Sequence, residues 1–213
     1  MSAMKSNPSR RCLTAVALAV SIHFGGCAAP PPIRLHSLLS IDSPARASPA
    51  LRPGFAYTLT AVSVPPQVDQ PQWLIRNPDG TLSLLEQERW AAPLRSELQS
   101  ALLDRWINSW GGRSAATSSA SDSAWRVTLD VMRWEAWPGR EVRLESRWSA
   151  TSGAFALNCR SVIREAASSS SKSAVLALAD SQRRAVIRLA DEVASRIDAV
   201  QKGEPGRCAD VPT

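Results

Sequence analysis

Three consecutive segments in which apolar and polar residues alternate constrain the fold of this chain more than any other feature. They cover residues 125–131, 141–148 and 155–163, and the turns between them contain Pro138-Gly139 and Ser152-Gly153. Such alternation is typical of strands with one buried and one solvated face, and short turns join antiparallel neighbours. The pattern predicts an antiparallel meander whose buried face carries Trp125, Val127, Leu129, Val131, Val142, Leu144, Trp148, Phe155, Leu157, Cys159, Ser161 and Ile163.

Two segments repeat apolar residues at steps of three and four, the period of an amphipathic helix. The first stripe includes Trp90, and its helix should begin near residues 91–92 and end at the glycines 111–112, because Pro93 is tolerated in a first turn. The second predicts a helix over residues 172–201. Each stripe needs an apolar sheet face to cover it. We expect an α+β fold (an α/β sandwich), with two long amphipathic helices packed on a mixed, largely antiparallel β-sheet.

Shorter strands are predicted ahead of the first helix. Residues 33–39 alternate in polarity, and residues 55–64 are rich in aromatic and β-branched side chains. Residues 72–76 and 81–85 form two further candidates, and the turn Asn77-Pro78-Asp79-Gly80 between them has the composition of a hairpin turn. We therefore expect a hairpin just before the first helix.

The N-terminus has the pattern of a lipoprotein signal peptide. Lys5, Arg10 and Arg11 precede an apolar run over residues 12–24, which is too short to span a bilayer as a helix. The run ends in Phe24-Gly25-Gly26-Cys27, where small residues precede a cysteine whose thiol can accept a diacylglyceryl group. We expect a signal peptide over residues 1–26 and lipidation of Cys27. An ordinary secretory leader and a buried helix are the alternatives.

The residue after the cysteine is Ala28, and the sorting rule of enteric bacteria then favours the outer membrane, with the protein facing the periplasm. Residues 27–54 should form a lipidated tether with a first strand and a proline-containing linker. Residues 55–201 should form the folded α/β domain, and residues 202–213 a C-terminal tail. Inside the domain, residues 111–124 have the composition of a Ser/Ala/Gly loop.

The net charge argues against a nucleic-acid partner. The whole chain carries +6, but three of its 25 basic residues leave with the signal peptide. The mature chain then has 22 basic against 19 acidic residues, a net charge of +3. So mild an excess does not indicate binding to a polyanion.

Two of the four cysteines remain available after cleavage of Cys12 and acylation of Cys27. Cys159 lies on the buried face of a predicted strand, and Cys208 lies in the tail. In an oxidising compartment the two can form a disulfide that holds the tail to the sheet. One buried thiol and one exposed thiol is the other arrangement, and the sequence leaves both open.

Few residues offer chemistry for catalysis. The mature chain has a single histidine, His36, close to the expected lipid anchor, and no hydrolase, zinc-protease or phosphate-loop motif is present. Carboxylate pairs such as Glu86 and Glu88 are interpreted as solvated helix residues. We expect a protein that is not an enzyme and has no cofactor and no metal site.

Eight tryptophans are many for 213 residues. Most lie on the predicted core stripes, but two do not. Trp134 falls on the strand face opposite to Val131, and Trp137 lies at a turn. These two are therefore candidates for contacts with a partner.

One stretch of about thirty residues, from Val64 through the predicted hairpin to Leu94, carries a spaced set of residues that matches a known pattern. The residues that match are Val64, Pro65, Asp69, Pro71, Gln72, Arg76, Arg89, Trp90, Ala91, Pro93 and Leu94. In these residues the stretch resembles the PqiC family of auxiliary lipoproteins. It departs from the family pattern at Gln67, Val68, Gln70 and Ala92.

The resemblance implies a non-catalytic auxiliary component of an ABC-type, MCE-domain transport system that moves lipids between membranes. Its partners would be an MCE-domain transport protein and, through the anchor, the outer membrane, with a second copy of the chain as a further candidate. The candidate interface residues are Pro65, Asp69, Pro71, Gln72, Arg76, Arg89, Trp134 and Trp137. A periplasmic lipid-binding carrier is the alternative function, and an envelope hydrolase a more distant one.

Overall fold

The computed structural model describes residues 31–39, 54–117, 123–167 and 173–206, together with Cys208. Everything described below belongs to one compact unit, residues 33–213. The predicted signal peptide, the predicted lipidation site Cys27 and most of the predicted linker lie outside the described residues.

The chain forms eight strands and two long helices in the described part. They are β1 (Arg34–His36), β2 (Ala56–Ser63), β3 (Gln72–Arg76), β4 (Leu82–Trp90), α1 (Leu94–Trp110), β5 (Arg113–Ser114), β6 (Trp125–Trp137), β7 (Glu141–Ser152), β8 (Phe155–Ala166) and α2 (Ala174–Gln201).

The strands form two sheets. The larger has the order β5-β2-β6-β7-β8, with β6, β7 and β8 antiparallel and with β2 parallel to both β6 and β5. The smaller has the order β1-β4-β3, in which β3 and β4 form the predicted hairpin and β1 runs parallel to β4. The α+β prediction is confirmed, although the strands are divided between two sheets.

The helices cover one face of the five-stranded sheet, and they contact each other along their length. Trp106 of α1 is fully buried, and its indole N–H donates to the carbonyl of Ala190 on α2 at 2.9 Å. Beside it, the carboxylate of Asp191 accepts a hydrogen bond from Arg105 at 2.8 Å. A buried apolar interface tied by these bonds positions both helices on the sheet.

The first helix begins later than predicted. Trp90 was placed on its stripe, but it is the last residue of β4, where its N–H donates to the carbonyl of Pro71 at 2.8 Å. Ala91 continues this pairing by donating to His36 at 2.8 Å. Pro93 is the N-cap and has an extended conformation. The helix does not begin earlier because a proline disfavours helical backbone in the residue before it, here Ala92.

The segment after α1 is more structured than a loop. Gly111 has a φ of 63° and ends the helix in the left-handed conformation. Its carbonyl oxygen lies so close to Gly54 that a side chain there would collide with it. The chain then forms β5 and a 3-10 turn over Ala115–Thr117. The remaining residues of the predicted loop include 118–122, which lie outside the described residues.

The prediction that Trp134 faces away from Val131 is wrong. A register shift between Val131 and Arg133 marks a β-bulge in β6, and it adds one residue to the alternation. Both Val131 and Trp134 are consequently buried. Trp134 meets Trp90 edge-on, with ring centroids 6.1 Å apart.

Cys159 and Cys208 form a disulfide, the pairing that the sequence left open. Their Cα atoms are 5.3 Å apart, and Cys159 is buried on β8. The tail is thereby held against the edge strand of the larger sheet. Among the described helices, none is long and apolar enough to cross a membrane.

Candidate functional site

The loop between β2 and β3, residues 64–71, carries much of the family-like motif, and we call it the docking loop. Two turn bonds shape it, from the N–H of Val68 to Pro65 at 3.0 Å and from the N–H of Asp69 to Pro66 at 3.3 Å. Val68 is buried and anchors the loop in the core, while Pro66 and Pro71 are exposed. Prolines restrict the backbone, so the loop presents one defined surface.

Asp69 ties the docking loop to helix α1. One carboxylate oxygen accepts from Arg95, in the first turn of the helix, at 2.8 Å. The other oxygen is buried and has no hydrogen-bond partner among the described residues. Asp69 therefore acts as a clasp that holds the loop, and most of its carboxylate faces inward.

Gln72 and Arg89 lie opposite each other where the docking loop joins the small sheet. Both are half-buried, and the guanidinium of Arg89 donates to the carbonyl of Glu86 at 3.2 Å. Next to them on the edge strand, Leu35 pairs with Arg89 in register and is 67% exposed. The outer side of the small sheet thus combines polar and apolar groups.

Arg76, at the other end of β3, joins the two sheets. Its guanidinium donates to Glu135 of β6 at 2.7 Å and to the carbonyl of Gly80 at 3.0 Å. The Arg76 Cζ lies 6.0 Å from the centre of the Trp137 ring, within the range of a cation–π contact. Two of the predicted interface residues, Arg76 and Trp137, therefore form one cluster.

A cleft of about 290 Å³ lies between β3 and the bulged part of β6. Leu74, Arg76 and Gln67 line one side of it, and Met132 and Arg133 line the other. The cleft connects the docking loop with the Arg76 cluster. Because polar and apolar residues both line the cleft, it suits protein side chains better than the acyl chain of a lipid.

Strand β1 is held by a buried carboxylate, Glu88. The side chain of Glu88 is 4% exposed, and it accepts from the Nε of Arg34 at 2.7 Å and contacts the Nε2 of His36 at 2.6 Å. Burial raises the pKa of Glu88, but the bonds and charges of Arg34 and His36 outweigh it, so that this pKa lies below its usual value. The His36 ring also packs on Trp73, at 4.2 Å between centroids.

A second buried carboxylate, Glu97 of α1, holds the next residues. It accepts from the hydroxyl of Ser37 at 2.7 Å and from the backbone N–H of Leu38 at 2.9 Å. The sequence pattern did not indicate either role, because Glu88 was interpreted as solvated and Glu97 lies in a helix pattern. Only the fold brings residues 34–38 beside them.

The family model for the ABC-type transport auxiliary lipoprotein component matches residues 38–194. The chain belongs to this family. The match covers most of the described domain, from the end of β1 into α2, and it confirms the resemblance seen in the motif around the docking loop.

Solved structures show the same fold at low identity. A crystal structure of a protein described as uncharacterized has a TM-score of 0.58 and 13% identity, covering 78% of this chain and 99% of its own. Protein XCC0632 from Xanthomonas campestris has a TM-score of 0.51 and 17% identity, covering 81% and 96%. No curated protein matches the chain.

Within the auxiliary-lipoprotein fold, the predicted interface residues fall into two groups at the ends of β3. Pro65, Asp69, Pro71, Gln72 and Arg89 surround the docking loop, and Arg76 and Trp137 lie about 13 Å farther along the strand, given the usual rise per residue. Trp134 belongs to the core and is not presented. The described residues contain no group of three or more His, Cys, Asp or Glu that could hold a metal.

Proposed function

We propose that this chain is an outer-membrane lipoprotein, anchored through acylated Cys27 and facing the periplasm, that docks an MCE-domain transport protein and does not catalyse a reaction. The family supports an auxiliary role in ABC-type transport. The membrane, the partner and the docking role are our inference.

The rigid docking loop beside the edge strand β3 is the observation that carries this proposal. In the described sheet order, β3 pairs only with β4, so one row of its backbone groups can accept a partner's strand. The cleft of about 290 Å³ along β3 can receive side chains from the added strand. A loop fixed by prolines and the Asp69 clasp loses little entropy on binding.

The attachment of β1 supports a position close to a membrane. Ile33 lies six positions after Cys27, and a chain of that length reaches at most about 20 Å. Because Glu88 and Glu97 hold residues 34–38 in the fold, the tether cannot lengthen by unwinding β1 without breaking their hydrogen bonds.

The geometry favours docking over the alternatives. A carrier would need apolar space between helices and sheet, but side chains of the protein fill that interface, among them Leu98, Trp106 and Leu189, each fully buried. A hydrolase would need an available base, but His36 is held between Glu88 and Trp73. The contacts of His36 are those of a structural residue.

Site-specific photo-crosslinking tests the proposal. A photoreactive residue replaces Gln67, exposed on the docking loop, and in a matched protein it replaces Gln99, exposed on α1. Crosslinks are formed in intact envelopes with the full-length protein, and the captured proteins are identified by mass spectrometry. We expect an MCE-domain protein from position 67 and none from position 99.

A membrane-localised protein that captures no MCE-domain protein from position 67 would contradict the docking role. The variant Cys27→Ala provides the control for the anchor, and it should lose both membrane attachment and the crosslink. Retention in the outer membrane without Cys27 would contradict lipidation at that residue.

A further inference from the structure

The five-stranded sheet has a second face, opposite to the helices, that the proposed docking site does not use. Its side chains alternate with the buried ones and include Thr128, Ser149 and Asn158. Six arginines also lie on this face, which we call the arginine face: Arg126, Arg133, Arg143, Arg147, Arg160 and Arg164.

Two pairs of these arginines oppose each other directly across β7 and β8. Arg147 is in register with Arg160, and Arg143 is in register with Arg164. Like charges in directly opposed positions destabilise a sheet. The stability of the sheet by itself does not explain two such pairs on neighbouring strands. They therefore indicate that these arginines serve a function.

One buried carboxylate, Glu145, lies in the middle of the arginine face. Its side chain is 5% exposed, and Arg133 and Arg160 approach it at 3.4 and 3.0 Å, with Arg143 also in contact. Burial raises the pKa of Glu145, but the three guanidinium groups outweigh it and hold this pKa below its usual value. A single carboxylate cannot neutralise three arginines.

The other carboxylates on this face do not form ion pairs with all of its remaining arginines. Asp130 is in register with Arg147, but its hydrogen bond is made with the hydroxyl of Ser63 at 2.5 Å. Glu135 pairs with Arg76 from the small sheet and also contacts Arg133 at 3.4 Å. Among the described residues, no carboxylate forms an ion pair with Arg126, Arg147 or Arg164, all of which are exposed.

A shallow groove of about 500 Å³ crosses the same face. Arg147 and Arg160 line it, together with the polar side chains of Thr128, Ser149 and Asn158. One carboxylate, that of Asp130, also lines the groove opposite Arg147. Arginine can bind a carboxylate through two parallel hydrogen bonds, and hydroxyl and amide groups can satisfy the remaining acceptors. The groove is thus equipped for a chain that carries several carboxylates.

The side-chain composition of the arginine face favours a protein partner over a lipid bilayer. A membrane-binding surface combines basic groups with apolar side chains that enter the lipid. The large exposed apolar residues on β6, β7 and β8 are Met132, at the bulge, and Phe155, at a hairpin end. Among the residues that line the groove, the exposed apolar side chain is the small one of Ala61.

We infer that the arginine face binds an acidic segment of a protein partner, whose Asp or Glu carboxylates reach Arg147, Arg160 and Arg164. This surface is separate from the docking loop, and its existence does not depend on the proposed function. Complementary charge of this kind mainly directs the encounter and its orientation.

Fluorescence anisotropy with a labelled deca-glutamate peptide tests the inference on the full lipidated protein in neutral detergent at low salt. Arg147→Glu should weaken binding about tenfold, because it places a like charge against the probe. Lys202→Glu, at the end of α2, changes the net charge equally and should have little effect. Glu145→Gln should strengthen binding, since it removes the buried carboxylate that three of the arginines contact.

Equal weakening by Arg147→Glu and Lys202→Glu would overturn the inference, since net charge alone would then explain the binding. Arg147→Lys, which keeps the charge, provides a readout if Arg147→Glu does not fold by circular dichroism, and it should retain most of the affinity. Displacement of the peptide by millimolar glycerophosphoglycerol, with direct binding of that headgroup, would overturn the assignment to a protein partner. The crosslinking at position 67 remains an independent test of the docking role.

Discussion

The imidazole Nε2 of His36 lies 2.6 Å from a carboxylate oxygen of Glu88, although 52 residues separate them in the chain. This contact holds β1 against β4. Arg34, which lies on β1 with His36, donates a second hydrogen bond to Glu88. It determines where the tethered end of the chain enters the fold. The same contact binds the imidazole of His36, the one histidine among the described residues, to a buried carboxylate.

Glu88→Gln should destabilise the protein in a pH-dependent way. Because the pKa of Glu88 is lower in the folded protein, its contribution is complete above the ordinary pKa of a glutamate and is lost as the pH falls through the folded value. At pH 7 the substitution should lower the free energy of unfolding by roughly 1–3 kcal/mol. Urea unfolding at pH 7 and below about pH 4 should show this difference shrinking on acidification. Glu86→Gln, an exposed neighbour on β4, serves as the control and should have little effect at either pH.

Removing the disulfide should destabilise the protein through its unfolded state. The bond closes a loop between residues 49 positions apart, and its loss should cost about 2–4 kcal/mol. Cys208→Ser should therefore lower the melting temperature, and reductant should lower the melting temperature of the unaltered protein to a similar value. If the melting temperature of Cys208→Ser still responded to reductant, the effect of reductant could not be assigned to the Cys159–Cys208 bond, which this variant lacks.

The two tryptophans near the end of β6 should behave differently. Trp134 is buried against Trp90, so Trp134→Ala should cost about 3–5 kcal/mol of unfolding free energy. Trp137 is half-buried beneath Arg76, and Trp137→Ala should cost about 1 kcal/mol or less. Chemical unfolding measures both. A reduced crosslink at position 67 in Trp137→Ala, with stability preserved, would assign Trp137 to the interface.

The Asp69 clasp can be tested by a double-mutant cycle with Arg95. Asp69→Asn and Arg95→Gln should each reduce stability by about 0.5–1 kcal/mol, because the pair is partly exposed. The double variant should lose little more than either single variant, since both break the same bond. Limited proteolysis should show faster cleavage near Gln67 in all three. Additive losses would mean that the two side chains act independently.

Local pattern was sufficient for the β3–β4 hairpin, which turn residues and alternation predicted, because these features act over a few residues. The candidate interface residues of the docking loop and Arg76 came from the family resemblance, and their role at an interface stays a prediction. The bulge that buries Trp134 was not predicted, since one inserted residue leaves the alternation on each side of it unchanged. Glu88 and Glu97 were missed for a related reason: their partners, residues 34–38, lie more than fifty positions away.

The sequence by itself determined the meander of β6, β7 and β8, the two amphipathic helices and the family motif, because side-chain period and turn chemistry are properties of neighbouring residues. Only the tertiary structure decided the division into two sheets, the parallel pairing of β1 with β4, and the extension of β4 to Trp90. Those features depend on contacts between distant segments. Burial then turned Glu88, Glu97 and Glu145 from solvated charges into the centres of hydrogen-bonded clusters.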